Sequence, residues 1–108
     1  MGNESFVMTP KTTPNGVEFS LQGRIDSMNA AEFGYKLDQA ISDGQTNIVL
    51  NMLRVEYLSS IGIRVILKAY KEAKAAGGVL EIEMPSESVV NVLGMVALNE
   101  MLVKRTPQ

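Results

Sequence analysis

Residues 48–84 read IVLNMLRVEYLSSIGIRVILKAYKEAKAAGGVLEIEM, and this stretch decides the fold. Ile48-Val49-Leu50 is a short, continuous apolar run, the pattern of a strand buried on both faces and often paired in parallel. Val55-Glu56-Tyr57-Leu58 reads as a linking segment. Ser59-Ser60 then precedes Ile63, Ile66, Leu67, Tyr70 and Ala73, which share one stripe of a helix, and Gly77-Gly78 stops it. From Val79 to Met84 apolar and polar residues alternate, as in a further strand.

Upstream, Phe6 to Thr9 is a short strand candidate. Pro14-Asn15-Gly16 marks a turn, because Asn and Gly tolerate the positive φ of tight hairpins. Val17, Phe19 and Leu21 alternate with Glu18, Ser20 and Gln22, so the first two strands form a hairpin. Asp26 and Ser27 are both good N-cap residues, and Phe33, Leu37, Ala40 and Ile41 follow at helical spacing. This predicts a first helix over about Asn29 to Asp43, ended by Gly44. Downstream, Pro85-Ser86 opens a third helix with Val89, Leu93 and Val96 inward, and Met101-Leu102-Val103 is a final short strand before a frayed tail. The order is β-β-α-β-α-β-α-β. It predicts an α/β fold with a mixed sheet of four to five strands, mostly parallel in its later part, and helices packed on it.

At 108 residues the chain suits one domain over 1–108, with its core at about 6–103. The net charge of -2 offers no basic face for nucleic acid. Lys68, Lys71 and Lys74 are interleaved with Glu72, as on a solvated helix. There is no cysteine and no histidine, so disulfides, thiolate chemistry and the commonest general base and metal ligand are absent. No cofactor or metal is expected. The N-terminus lacks a basic and an apolar signal region, and no apolar run spans a membrane. A soluble, cytoplasmic protein is the expectation.

Ser59 and Ser60 stand at a helix N-terminus, where unpaired amides and the helix dipole favour negative charge. A phosphate there would carry about -1.5 to -2 charge. Two serines before an apolar stripe are also what a plainly capped helix shows. Gly62 lowers helix propensity by about 1 kcal/mol and lets a partner's backbone come close. Arg64 lies one turn beyond Ser60 and is either a phosphate neighbour or a solvated charge. Met52, Met84 and Met101 suit core filling, whereas Met28 and Met95 are either core or an adaptable partner surface.

Several segments in order resemble the STAS-domain family, and within it the single-domain anti-sigma factor antagonists of bacteria. They are Leu21-Gln22-Gly23-Arg24-Ile25-Asp26, Ile48-Val49-Leu50-Asn51-Met52, Val55 through Leu67, and the strand from Val79 to Met84 with the helix after it. In that family the second helix usually opens with Asp-Ser-Ser-Gly or Asp-Ser-Thr-Gly, and the hydroxyl after the Asp is phosphorylated. With Gly62 as the anchor, the Asp position falls on Ser59, the phosphorylated position on Ser60 and the second hydroxyl on Ile61. Ser59 is the fallback acceptor. The resemblance implies a STAS-like fold and partner switching. The unphosphorylated protein binds an anti-sigma factor with GHKL-type serine kinase activity, phosphorylation at Ser60 abolishes binding, and a PP2C-like phosphatase restores it. It places Asp26 near the serine on the partner face, with Ser59, Ser60, Gly62 and Arg64; Asn51 is a further candidate.

Two rivals remain at this level. One is an unphosphorylated STAS scaffold or ligand-sensing module. The other is a small enzyme, disfavoured by the missing histidine, cysteine and Gly-rich phosphate loop; Glu81 and Glu83 look like the wet side of a strand.

Overall fold

A computed structural model describes residues 6–83, Ser86, Glu87, Val89 and 103–105. The elements run β1 (Phe6–Thr13), β2 (Gly16–Ile25), α1 (Ala30–Ser42), β3 (Asn47–Leu58), α2 (Ser60–Ala75), β4 (Val79–Glu83) and β5 (Val103–Arg105). They build one five-stranded sheet in the order β1-β2-β3-β4-β5. β1 and β2 are an antiparallel hairpin, and β2, β3, β4 and β5 pair in parallel. The mixed sheet is the one the sequence predicts.

Each parallel step moves to the next position in the same direction. Right-handed crossovers then place α1 and α2 on one face of the sheet. That face receives Val17, Phe19, Leu21, Ile48, Leu50, Met52, Leu80 and Ile82, all buried, against Phe33 and Leu37 of α1 and Ile63, Ile66, Ala69 and Ala73 of α2. Each large side chain buried here stabilises the fold by about 1.5–3 kcal/mol. Phe6 meets Phe33 edge to face, with centroids 6.2 Å apart. The opposite face carries Glu18, Ser20, Asn51, Glu81 and Glu83; both β4 glutamates are half-buried.

Three features differ from the sequence reading. β1 continues through Pro10 to Thr13, which an edge strand tolerates because one side needs no donor. Gly16 does not have a positive φ; it is needed because a Cβ there would fall on the carbonyl of Asn47. Val55 to Leu58 is not a link but the last third of β3. The register shows why the strand was hidden. Ser20 pairs with Asn51 but Gln22 with Arg54, and Gly23 pairs with Val55 but Arg24 with Tyr57. Each step slips one extra residue into β3, a β-bulge, so its buried positions run Met52, Val55, Leu58 instead of alternating.

At the predicted start of the third helix, Glu87 and Val89 are helical and Pro85 lies outside the described residues. Ser86 Oγ donates to the Val55 carbonyl at 2.6 Å and accepts the Val89 N–H at 3.3 Å, and Val89 is buried. Leu93, Val96, Met84, Met95, Met101, Leu102 and residues 106–108 lie outside the described residues, whereas Lys104 and Arg105, expected in a frayed tail, belong to β5 with Val103.

Candidate functional site: the sheet edge at the start of the second long helix

β2 and β3 end side by side, with Ile25 paired to Leu58. The turn into α1 and the start of α2 therefore emerge at one edge of the sheet. The Ser59 N–H donates to the Ile25 carbonyl at 2.9 Å and ties the two exits together.

The turn after β2 is held by its own side chains. Asn29, 9% exposed, accepts the Asp26 N–H at 3.0 Å through Oδ1 and donates to the Arg24 carbonyl at 2.8 Å through Nδ2. The Asp26 carboxylate accepts the Met28 N–H at 3.0 Å, and its backbone carbonyl accepts from Ala30 at 2.9 Å. Neither Asp26 nor Ser27 caps α1. The N-cap position is Asn29, whose side chain is committed to the turn and makes no cap bond. Asp26 Oδ2 faces Arg24 Nε at 3.9 Å, and the Arg24 guanidinium lies 4.5 Å over the Tyr57 ring.

On α2 the two serines separate. Ser59 is the N-cap: its backbone is extended, and its Oγ accepts the Gly62 N–H at 3.2 Å. Ser60 is the first helical residue, exposed, and among the described residues no partner holds its hydroxyl. Gly62 is buried. A Cβ there would lie 2.8 Å from both Ile25 Cγ2 and Leu58 Cδ1, so glycine lets α2 close onto the ends of β2 and β3. The need for glycine thus arises inside the molecule. Arg64 is exposed, and its spacing from Ser60 puts both on one face of the helix.

Asn51 stands apart. It lies roughly 20 Å back along β3 at strand rise, where Oδ1 accepts the Leu53 N–H at 3.2 Å and Nδ2 approaches Glu18 at 3.5 Å. It shapes the first bulge. The edge also exposes apolar surface: Met28 is 89% exposed, Tyr57 and Ile61 41% each. Of the two alternatives the sequence leaves for Met28, core or partner surface, its exposure excludes the core. The exposure of Tyr57 and its stack on Arg24 could not be read from sequence, because both follow from the second bulge.

Lys68 is a solvated helix charge, as expected, though paired. It reaches Glu72 at 2.9 Å and Asp38 of α1 at 3.7 Å. The Glu72 hydrogen bond, with the charges of Asp38 and Glu72, raises the Lys68 pKa above 10.5, and the same bond lowers that of Glu72. Among the described residues there is no group of acidic side chains placed to hold a metal, and no helix long and apolar enough to cross a membrane.

Residues 8–107 match the STAS domain family. A Bordetella bronchiseptica protein named as the anti-sigma factor antagonist BtrV is 30% identical over 81 residues, covering 72% of this chain and 70% of that protein. Among solved structures, the unphosphorylated form of the anti-sigma factor antagonist SpoIIAA superposes with a TM-score of 0.82 at 22% identity, covering 94% of this chain and 89% of that one. The phosphorylated form of SpoIIAA, a Bacillus cell fate determinant, gives 0.75 at 22% identity over 94% and 92%. At these identities the two structures establish a shared fold.

Proposed function

This chain belongs to the STAS domain family and is a regulator rather than an enzyme, and from that premise we propose that it is a single-domain cytoplasmic anti-sigma factor antagonist that works by partner switching. Its partner is an anti-sigma factor with GHKL-type serine kinase activity, Ser60 is the phosphorylated residue, and a PP2C-like phosphatase reverses the modification. Asp26, Ser59, Ser60, Gly62 and Arg64 form or support the partner-binding edge.

One observation carries the choice of Ser60. Ser59 spends its hydroxyl on the Gly62 N–H, whereas the Ser60 hydroxyl is exposed at the first helical position. A kinase meets the Ser60 hydroxyl free of any bond, while the Ser59 hydroxyl must first give up the one it accepts from the Gly62 N–H. A phosphate on Ser60 places a dianion in the middle of the edge. Burying it unpaired against a partner costs on the order of several kcal/mol, which shifts binding by orders of magnitude.

The relatives' names support the antagonist role, and SpoIIAA exists in phosphorylated and unphosphorylated forms. The test is phosphopeptide mapping after incubation with a purified GHKL-type serine kinase of the same cell and ATP, together with binding of Ser60→Asp. One phosphate on Ser60 and loss of binding by Ser60→Asp bear the proposal out. No phosphate, with Ser60→Asp binding as the wild type does, refutes it.

A second reading, a ligand-sensing module, draws on a cavity of about 300 Å³ between the β1–β2 hairpin and α1, at the other end of β2. Phe19, Val17 and Pro10 line it, and the buried Gln45 Oε1 has no hydrogen-bond partner there among the described residues.

A further inference from the structure

We propose that Asn15 is a self-modifying site: its side chain deamidates through attack by the Gly16 backbone nitrogen, and two hydrogen bonds on the intervening peptide restrain the rate. The site is independent of the antagonist reading. It lies at the end of β2 opposite Ser60, roughly 30 Å along the strand.

Of the chain's asparagines only Asn15 precedes a glycine, which has no side chain to obstruct approach to its nitrogen. Pro14 and Asn15 form the two-residue turn between β1 and β2, and Asn15 is exposed to water. Packing fixes the glycine: a Cβ at Gly16 would fall on the Asn47 carbonyl, so no side chain can shield the nitrogen. The reaction needs only water. The Gly16 nitrogen loses its proton to solvent base and bonds to Asn15 Cγ. The Cγ–Nδ2 bond breaks, and ammonia leaves carrying that proton's equivalent. Water then opens the five-membered imide at one carbonyl or the other, leaving aspartate or isoaspartate at position 15. Nothing is oxidised or reduced.

The restraint is a grip on the Asn15–Gly16 peptide from both sides. Its N–H donates to Thr13 Oγ1 at 3.0 Å, and its carbonyl oxygen accepts from Asn47 Nδ2 at 3.0 Å. To reach Cγ, the nitrogen has to shed its proton and the peptide plane has to turn. Both bonds oppose the turn, and the first also holds the proton. Either product adds a negative charge to a chain of net charge -2. Isoaspartate also lengthens the backbone of the turn by one carbon against the fixed Thr13–Gly16 pair, so its form should melt below the aspartate form.

The test is peptide mapping of the purified chain kept warm at mildly alkaline pH, resolving asparagine, aspartate and isoaspartate at position 15. The wild type should convert, faster as pH rises, and the same chain unfolded in urea should convert faster still. Thr13→Val and Asn47→Ala each remove one bond of the grip. Each should convert about fivefold faster than the wild type, the factor equivalent to one net hydrogen bond. Ile82→Val, a core truncation on β4, should keep the wild-type rate, which separates the local grip from general loosening of the fold. A folded chain whose Asn15 is intact when the urea-unfolded chain has converted completely overturns the site. Thr13→Val and Asn47→Ala that convert at the wild-type rate, or no faster than Ile82→Val, overturn the grip.

Discussion

The Ser59 hydroxyl accepts the Gly62 N–H at 3.2 Å, and this single bond distinguishes two adjacent serines. Removing the cap should cost stability and removing its neighbour should not. Ser59→Ala is expected to lower stability by about 1 kcal/mol, a fall in Tm of about 4–8 °C for a domain of this size. Ser60→Ala is expected to melt with the wild type yet accept no phosphate. Thermal unfolding followed by circular dichroism, with intact mass after kinase treatment, checks both. Equal melting of the two variants contradicts the assigned cap.

Gly62→Ala sets two effects against each other. Alanine gains about 1 kcal/mol in helix propensity. Its Cβ meets Ile25 Cγ2 and Leu58 Cδ1 at 2.8 Å, and both side chains are core residues with little room to move. Overpacking of this kind costs about 1–3 kcal/mol, so the net expectation is a loss. Gly16→Ala should be worse, since its Cβ lands on the Asn47 backbone, which no rotamer change relieves. Urea midpoints should rank wild type, then Gly62→Ala, then Gly16→Ala. A stabilised Gly62→Ala would show that α2 does not seat as closely as described.

Phe33 is fully buried and packs edge to face with Phe6. Phe33→Ala should cost about 3–5 kcal/mol. Against a total stability of about 5–15 kcal/mol, the variant should be partly unfolded at 37 °C. Near-UV circular dichroism and chemical denaturation would reveal it.

The Lys68–Glu72 pair makes a signed prediction about pH. The Glu72 pKa is lowered on folding from 4.5, so its contribution is present above that value and lost as pH falls through the folded pKa. The Lys68 pKa is raised from 10.5, so its contribution is present below that value and lost as pH rises through the folded pKa. Lys68→Met should therefore be slightly less stable than the wild type at neutral pH and converge with it in strong acid. Both groups are exposed, so the difference should be small and should shrink in high salt. A constant difference across the acid range contradicts the pairing.

The sheet was legible in the sequence wherever one period held. Val17, Phe19 and Leu21 alternate, and Ile63, Ile66 and Ala73 keep helical spacing, so α2 falls within a residue or two of its predicted bounds and β2 starts where expected, though it runs on to Ile25. β3 was half hidden because Met52, Val55 and Leu58 step by three, and nothing local tells two bulges from a loop. The candidate site was legible as a place more than as an arrangement. Ser59, Ser60, Asp26 and Arg64 do come to one edge. Which serine caps depends on the Ile25 carbonyl taking the Ser59 N–H, a contact between segments distant in the chain. The same holds for Asn29, which looked like the start of a helix and instead braces the turn through the Arg24 carbonyl.

The two bulges in β3 divide that strand's labour. Up to Met52 its alternation is dictated by the helices above it, and any slip would turn core residues outward. From the first bulge on, Leu53, Arg54, Glu56 and Tyr57 all face solvent. Only Val55 and Leu58 of this segment turn inward. The bulges thus act as a joint: the exposed positions of this segment can change without touching the interior, while Val55 and Leu58 keep it fastened to the fold.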